Sequence, residues 1–311
     1  MNAKSHALIA LGENLRSRGY RFVAVTPATH CRVLDRPATT STLESIFGWN
    51  RPFDCADVDN DIFELLEDAE ALEGESGRYK SRVRFATIGE LLFVHSGFPT
   101  AEQDAVFFGP DTYRFVRLLR VSLADVAASK PLMLIDIGSG SGAGGIFAAR
   151  LLRGRTELLL ADINRKALAF GAVNAALNDL PNARAVFSDV LAGIDGDADI
   201  IVANPPYLVD ENRRLYRHGG GELGISLALR IAEQSLARLR PGGRLILYTG
   251  TPIIGGADPL FESLQSLLKL SANHFVYEEI DPDIFGEELE GPGYAYADRI
   301  AAVGLTVIKR G

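Results

Sequence analysis

The feature that most restricts what this chain can become is a change of period at Pro131. From there short apolar runs alternate with helix-length segments. Leu132–Asp136, Leu158–Ala161, Ala185–Phe187, Ile200–Ala203 and Leu245–Tyr248 read as strands, and Gly142–Leu152, Asn164–Leu177 and Leu223–Leu239 as the helices between them. Apolar runs of strand length separated by helices predict a mostly parallel sheet, covered on both faces and joined by right-handed crossovers. A helix over Leu260–Leu270 and two late strands, around His274–Ile280 and Ala301–Lys309, bring the sheet to seven strands with an antiparallel terminal strand.

The part before this alternation has a different grain. Helices are predicted over Ala3–Gly19, from Thr26-Pro27, from Thr40–Ser41 to Gly48, and over Asp57–Leu72. Val83–Ile88 and Leu91–Val94 alternate in period two around Gly89-Glu90 and predict a hairpin. Short helices followed by a small hairpin suggest a mainly helical, winged-helix-like accessory domain over residues 1–100, with the α/β domain over 101–311. A helix opening near Asp111 and running to about Ser129 leads into that domain. Trp49 is expected to anchor the packing of the smaller domain.

Composition narrows the function classes. The 311 residues are 47% hydrophobic and 23% charged, an ordinary globular balance, and no apolar run is long enough to span a bilayer. Met1-Asn2-Ala3-Lys4-Ser5-His6 is not followed by a signal-peptide core, so a cytoplasmic protein is expected. Cys31 and Cys55 fit neither a disulfide framework nor a zinc site, and the five histidines show no metal spacing. The net charge of -8 argues against gripping duplex DNA, which asks for a basic face.

Four strand ends carry candidate chemistry. After the first comes Asp136-Ile137-Gly138-Ser139-Gly140-Ser141-Gly142-Ala143-Gly144-Gly145, a glycine turn opening a helix, where a ligand can approach bare backbone and unpaired N–H groups. Gly140, Gly142 and Gly145 also fit the dinucleotide fingerprint, so a nicotinamide-dependent oxidoreductase is a competing reading. Asp136 speaks against it: a carboxylate there would face a pyrophosphate with like charge but would suit a cation. Asp162 and Ile163 end the second strand, where a carboxylate can accept from ribose hydroxyls. Asp189 and Val190 follow the third; an aspartate there can accept from an exocyclic amine and a backbone N–H can donate. Asn204-Pro205-Pro206-Tyr207 stops the fourth, because neither proline can continue a ladder.

In this order the four sites resemble the class I S-adenosylmethionine-dependent methyltransferases. Asn-Pro-Pro-Tyr resembles the branch that methylates planar nitrogens, which includes release-factor glutamine, rRNA guanine-N2 and N6-adenine methyltransferases. The resemblance covers about Phe107 to Lys309 and implies a Rossmann-like methyltransferase fold. Phe108-Gly109-Pro110-Asp111-Thr112-Tyr113 resembles the segment that closes over the cofactor, which brings in Phe108 and Thr112. The resemblance implies that Asp136 and Gly138–Gly142 hold the amino-acid part of S-adenosylmethionine, Asp162 the ribose, and Asp189 with Val190 the adenine. It implies that Asn204 and the Pro205 carbonyl accept the N–H groups of the target, that Tyr207 stacks on it, and that Asn204 also contacts the cofactor. No metal is required. The expected partner is a protein glutamine or an RNA base, which would make the chain a nucleic-acid binder in the second case. A third reading, a cofactor-binding regulatory protein without catalysis, stays open on sequence.

Two loops bear on the acceptor. Arg213–Glu222 is expected to be flexible and locally basic, and Asp281–Glu290, rich in acidic residues, to be a solvated surface loop.

Overall fold

The structure, a computed structural model, describes residues 1–311 other than 40–41, 76, 127–130, 154–155 and 211, and the side chains other than those of 75 and 273. The amino-terminal part contains α1 (Ala3–Ser17), α2 (Pro27–Leu34), a π-helical turn (Glu44–Gly48), β1 (Phe53–Asp54), α3 (Asn60–Asp68), β2 (Leu72–Glu75), β3 (Arg78–Ser81), β4 (Val83–Ile88) and β5 (Leu91–Ser96). The remainder contains α4 (Pro110–Ser122), β6 (Leu132–Ile137), α5 (Ala143–Leu151), β7 (Thr156–Asp162), α6 (Arg165–Leu177), β8 (Arg184–Phe187), β9 (Ala198–Ala203), α7 (Ser226–Arg238), β10 (Leu239–Ile253), α8 (Pro259–Ser271), β11 (Ala272–Asp281) and β12 (Arg299–Lys309).

The seven-stranded sheet has the order β11-β12-β10-β9-β6-β7-β8. It is parallel except at β12, which runs antiparallel between β10 and β11. The chain steps outward from β6 through β7 to β8, then returns to place β9 on the other side of β6. That reversal makes a topological switch point between β6 and β9, whose ends are in register at Ile137 and Ala203. Side chains alternate across the sheet. Leu134, Ile200, Val202 and Ile246 face α4, α5 and α6, whereas Ile135, Ile201, Ala203 and Leu247 face α7 and α8.

The amino-terminal part shares the first of these cores. Leu11, Leu15, Phe47 and Phe85 belong to the same cluster as Phe115, Ile146 and Phe170. Trp49 packs edge-on to Phe22 at 5.0 Å between ring centroids and against His30. Three expectations are corrected here. The helix expected over Asp57–Leu72 is shorter, because Leu72 opens β2, and the β1-β3-β2 sheet was not foreseen; its strands are two to four residues long, too short for periodicity to speak. The helix expected to reach Ser129 ends at Ser122, and its start is capped from Gly109, whose N–H lies 3.4 Å from the Thr112 hydroxyl, not from Asp111; the expected end lies outside the described residues. The Thr40–Ser41 helix start also lies outside them. Both cysteines are exposed and free. Among the described residues no helix is long and apolar enough to cross a membrane, and no group of three His, Cys, Asp or Glu side chains is arranged to hold a metal.

Candidate active site

Backbone geometry puts the site at the switch point. β6 and β9 end side by side, so the turns that leave them must share one crevice. The glycine turn after β6 and the Asn204–Tyr207 turn after β9 do so: a Cβ on Gly138 would lie 3.9 Å from the Pro205 Cα. Gly138 and Gly140 have φ of +64° and +53°, which glycine adopts without the Cβ penalty. At Gly140 a Cβ would meet nothing, so its backbone borders open space. The cavity there, about 200 Å³, is lined by Asp136, Gly138, Gly140 and Asp162 and by Asn204, Pro205, Pro206 and Tyr207.

The carboxylates are held by backbone. Asp136, 2% exposed, accepts from the Gly145 N–H at 2.7 Å. This contact explains Gly145: a Cβ there would sit 2.8 Å from the Asp136 Cβ, so the third fingerprint glycine serves helix–strand packing. Burial pushes the Asp136 carboxyl up to about 7, opposed by the Gly145 hydrogen bond and reinforced by Asp162. Asp162 accepts from Gly140 N–H at 2.9 Å and Asn164 N–H at 2.8 Å, and burial raises its carboxyl too. Each of its oxygens keeps a lone pair for a hydroxyl. Among the described residues neither Asp136 nor Asp162 has an ion-pair partner. A cavity with two buried, cation-free carboxylates, bare glycine backbone and no phosphate-compensating charge beside them fits a cationic, hydroxyl-bearing ligand such as S-adenosylmethionine.

Most expected site residues line this cavity. Thr112, Asp136, Gly138, Gly140, Asp162, Ile163, Asp189, Val190 and Asn204 through Tyr207 all do. Two do not. Phe108 is 1% exposed and packs with Phe93, His95 and Tyr113, so its neighbour Phe107 is the one at the cavity. Gly142 is the left-handed cap of α5 and faces Ile146 and Leu160. Two others sit differently than expected. The Asp189 carboxylate pairs with Arg230 at 2.7 Å. The Tyr207 ring, 7% exposed, lies over Gly250 and against Phe285, leaving little face free for stacking. Its hydroxyl is buried beside Asp111 without hydrogen-bond geometry, while Asp111 accepts from the Tyr248 hydroxyl at 2.6 Å. By contrast the Asn204 side chain has no hydrogen-bond partner among the described residues, so its carboxamide is available to a ligand.

Sequence reasoning missed the mouth. Phe107 and Tyr216 stack with ring planes 12° apart, and Leu215, Arg217 and Phe285 complete the rim. Arg213–Glu222 is less free than expected: Arg214 and Arg217 pair with Asp210, and Arg217 also with Glu288. The acidic loop is likewise at the cleft and not on a remote surface, because Phe285 lines the cavity and Glu288 holds Arg217. The Arg217–Glu288 contact joins residues 71 apart in the chain, which no local pattern reports.

Asp136 sets a pH dependence. A bound cation favours its charged form, so protons compete with the ligand below about pH 7. The affinity for S-adenosylmethionine is expected to fall by about twofold from pH 8 to pH 7 and by about fivefold more from pH 7 to pH 6, read by titration calorimetry. In Asp136→Asn that slope disappears.

Residues 117–253 match the family model described as the methyltransferase small domain. A ribosomal protein L11 methyltransferase of Lactobacillus helveticus is 37% identical over 97 residues, 31% of this chain and 30% of that protein. A release factor glutamine methyltransferase of Deinococcus radiodurans is 31% identical over 140 residues, 42% of this chain and 50% of that protein. The chain thus spans half or less of the length of these relatives. Among solved structures, a SAM-dependent methyltransferase of Agrobacterium tumefaciens superposes with a TM-score of 0.48 at 16% identity, over 82% of this chain and 80% of that one. The dinucleotide reading finds no support in these matches. Residues 117–253, the stretch that resembles the methyltransferase small domain, carry the strand ends from β6 to β9 that line the cavity.

Proposed function

We propose that the protein is an S-adenosylmethionine-dependent N-methyltransferase whose acceptor is a planar amide or amine nitrogen, with a polypeptide amide preferred. The observation that carries this reading is the Asn204 carboxamide, without a partner among the described residues, lining one cavity with Asp136, Gly138 and Asp162. Asp136 and the glycine turn hold the amino-acid end of the cofactor, Asp162 the ribose, and Val190 and Ile163 flank the adenine. Asp189 accepts one N–H of Arg230 on each oxygen and keeps a lone pair on each for the adenine amine. The cofactor, when bound, supplies an electrophilic methyl on a sulfonium.

The chain's own residues deal with the acceptor. An amide nitrogen is a poor nucleophile because its lone pair is delocalised. The Asn204 side-chain oxygen and the Pro205 carbonyl each accept one N–H of the target. Their pull grows as positive charge develops on the nitrogen, so they stabilise the transition state more than the ground state. The two prolines restrict the backbone and keep that carbonyl aimed. Tyr207 supports the turn from beneath.

The rim favours a polypeptide. Asp210 and Glu288 neutralise Arg214 and Arg217, and Asp283, Glu287 and Glu290 add exposed negative charge beside Phe285. A phosphate backbone would be repelled there. Tritiated-methyl transfer into extract of a strain lacking the gene tests the reading. Label that survives nuclease and is lost to protease is expected. Label lost to nuclease makes the acceptor an RNA base; no transfer at all refutes methyl transfer to either.

A further inference from the structure

The second strand of the amino-terminal hairpin, β5, pairs with β4 on one side only. Its other edge presents the N–H and C=O of Leu92 and Val94, and these are taken up by two asparagines, Asn174 on α6 and Asn178 at its end. The Asn178 carboxamide accepts from the Leu92 N–H at 3.1 Å and donates to the Leu92 carbonyl at 2.8 Å. Asn174 does the same at Val94, at 2.7 and 2.9 Å. The spacing is a geometric match. Residues four apart on a helix advance about 6 Å, and residues two apart on a strand about 6.7 Å. A carboxamide carries the same donor and acceptor as a peptide, so the helix closes the strand edge as a neighbouring strand would.

The third bond of each carboxamide differs. Asn178 donates its second N–H to the Asn174 carbonyl at 2.8 Å, and its oxygen also accepts from Arg16 of α1 at 3.4 Å. Asn174 donates to the Ser141 carbonyl at 2.8 Å, inside the glycine turn that lines the cavity. Both side chains are buried, at 0% and 2% exposure. From the other side Pro27, at the start of α2, also reaches the cavity wall. The amino-terminal part is therefore bonded to the cofactor turn through one side chain.

We propose that Asn174 is a positioning residue for the glycine turn, and that through it the amino-terminal part is a working component of the cofactor site instead of a separate module. The inference rests on the reading of that turn as the S-adenosylmethionine site. Without Asn174 the turn keeps its glycines but loses the buried anchor of Ser141, and the backbone facing the ligand is no longer held.

The paired asparagines supply their own control. In Asn174→Ala the dissociation constant for S-adenosylmethionine is expected to rise about tenfold, measured by calorimetry well below the melting temperature. In Asn178→Ala, which removes an equal bond to the hairpin, it is expected to stay within about twofold while the melting temperature falls to a similar extent. In the unaltered protein, S-adenosylmethionine is expected to slow amide exchange at Val94 more than at Leu92. Equal weakening by both substitutions, wild-type affinity in Asn174→Ala, or unchanged exchange at Val94 overturns the proposal, and the exchange experiment stands even where Asn174→Ala does not fold. An unaltered protein that fails to bind S-adenosylmethionine refutes the cofactor reading itself and this inference with it, whereas binding with an insensitive Val94 refutes this inference alone.

Discussion

Asn204→Ala is expected to lower kcat for methyl transfer by about a hundredfold to a thousandfold, the range seen when one preorganised charge-stabilising contact is removed from an active site. The affinity for S-adenosylmethionine is expected to change by less than about threefold. The split follows from the geometry. Asn204 lines the same cavity as Asp136 and Asp162 but follows β9, whereas the glycine turn follows β6. Among the described residues the side chain has no hydrogen-bond partner, so its loss leaves none of them unsatisfied and the fold should melt close to the wild-type temperature. Single-turnover transfer with saturating cofactor, alongside calorimetry, measures both quantities. Wild-type turnover in Asn204→Ala would remove the turn from the chemistry and revive the non-catalytic reading. Loss of cofactor affinity in step with turnover would make Asn204 a cofactor ligand instead.

The second large effect lies outside the cavity, at Gly219. The Arg213–Glu222 loop is seated on the Asn204–Tyr207 turn by backbone bonds: Leu208 N–H to Arg217 carbonyl and Gly219 N–H to Leu208 carbonyl, both 2.9 Å. A Cβ on Gly219 would lie 1.9 Å from the Gly224 carbonyl oxygen and 2.6 Å from the Tyr207 Cα. Both obstacles are backbone, so no rotamer change relieves them. Gly219→Ala must lift the loop or push the turn. Either moves the Pro205 carbonyl relative to the methyl, and a misplacement of about 1 Å can cost about a hundredfold in rate. We expect that loss in kcat/KM for the acceptor, with cofactor affinity kept within about threefold, and about 1–3 kcal/mol of stability lost to overpacking. Gly196→Ala is the matching control. Its φ of +81° strains an alanine, but its Cβ would meet nothing, so stability falls by about 1–2 kcal/mol and the rate is unchanged. Should Gly219→Ala turn over at the wild-type rate, the loop does not hold the turn.

The elements that were legible in the chain are those whose information is local. β6, β7 and β9 are apolar runs ended by breakers, and α1 and α6 begin at Asn2 and Asn164, whose side chains accept from the first-turn N–H groups. The strand-end residues were legible for the same reason: once strands are parallel, their carboxyl ends face one edge, and Asp136, Asp162 and Asn204 fall there directly. Phe108 failed because packing against Phe93, His95 and Tyr113 takes it into the core and leaves Phe107 at the cavity, and sequence alone does not choose between two neighbouring aromatics. The short strands β1 to β3 failed because two to four residues carry no measurable period.

Sequence by itself determined the class of fold and the row of strand ends, since both are set by period and punctuation along a few residues at a time. Tertiary structure alone decided what those ends face. It brought the glycine turn against Pro205 by ordering β9 beside β6, turned Tyr207 inward over Gly250, drew the acidic loop to the rim, and bonded the hairpin to Ser141 through Asn174. Those pairings join residues far apart in the chain. Only packing, which buries one surface against another and then requires each polar group inside to find a partner, selects among the arrangements that local preference allows.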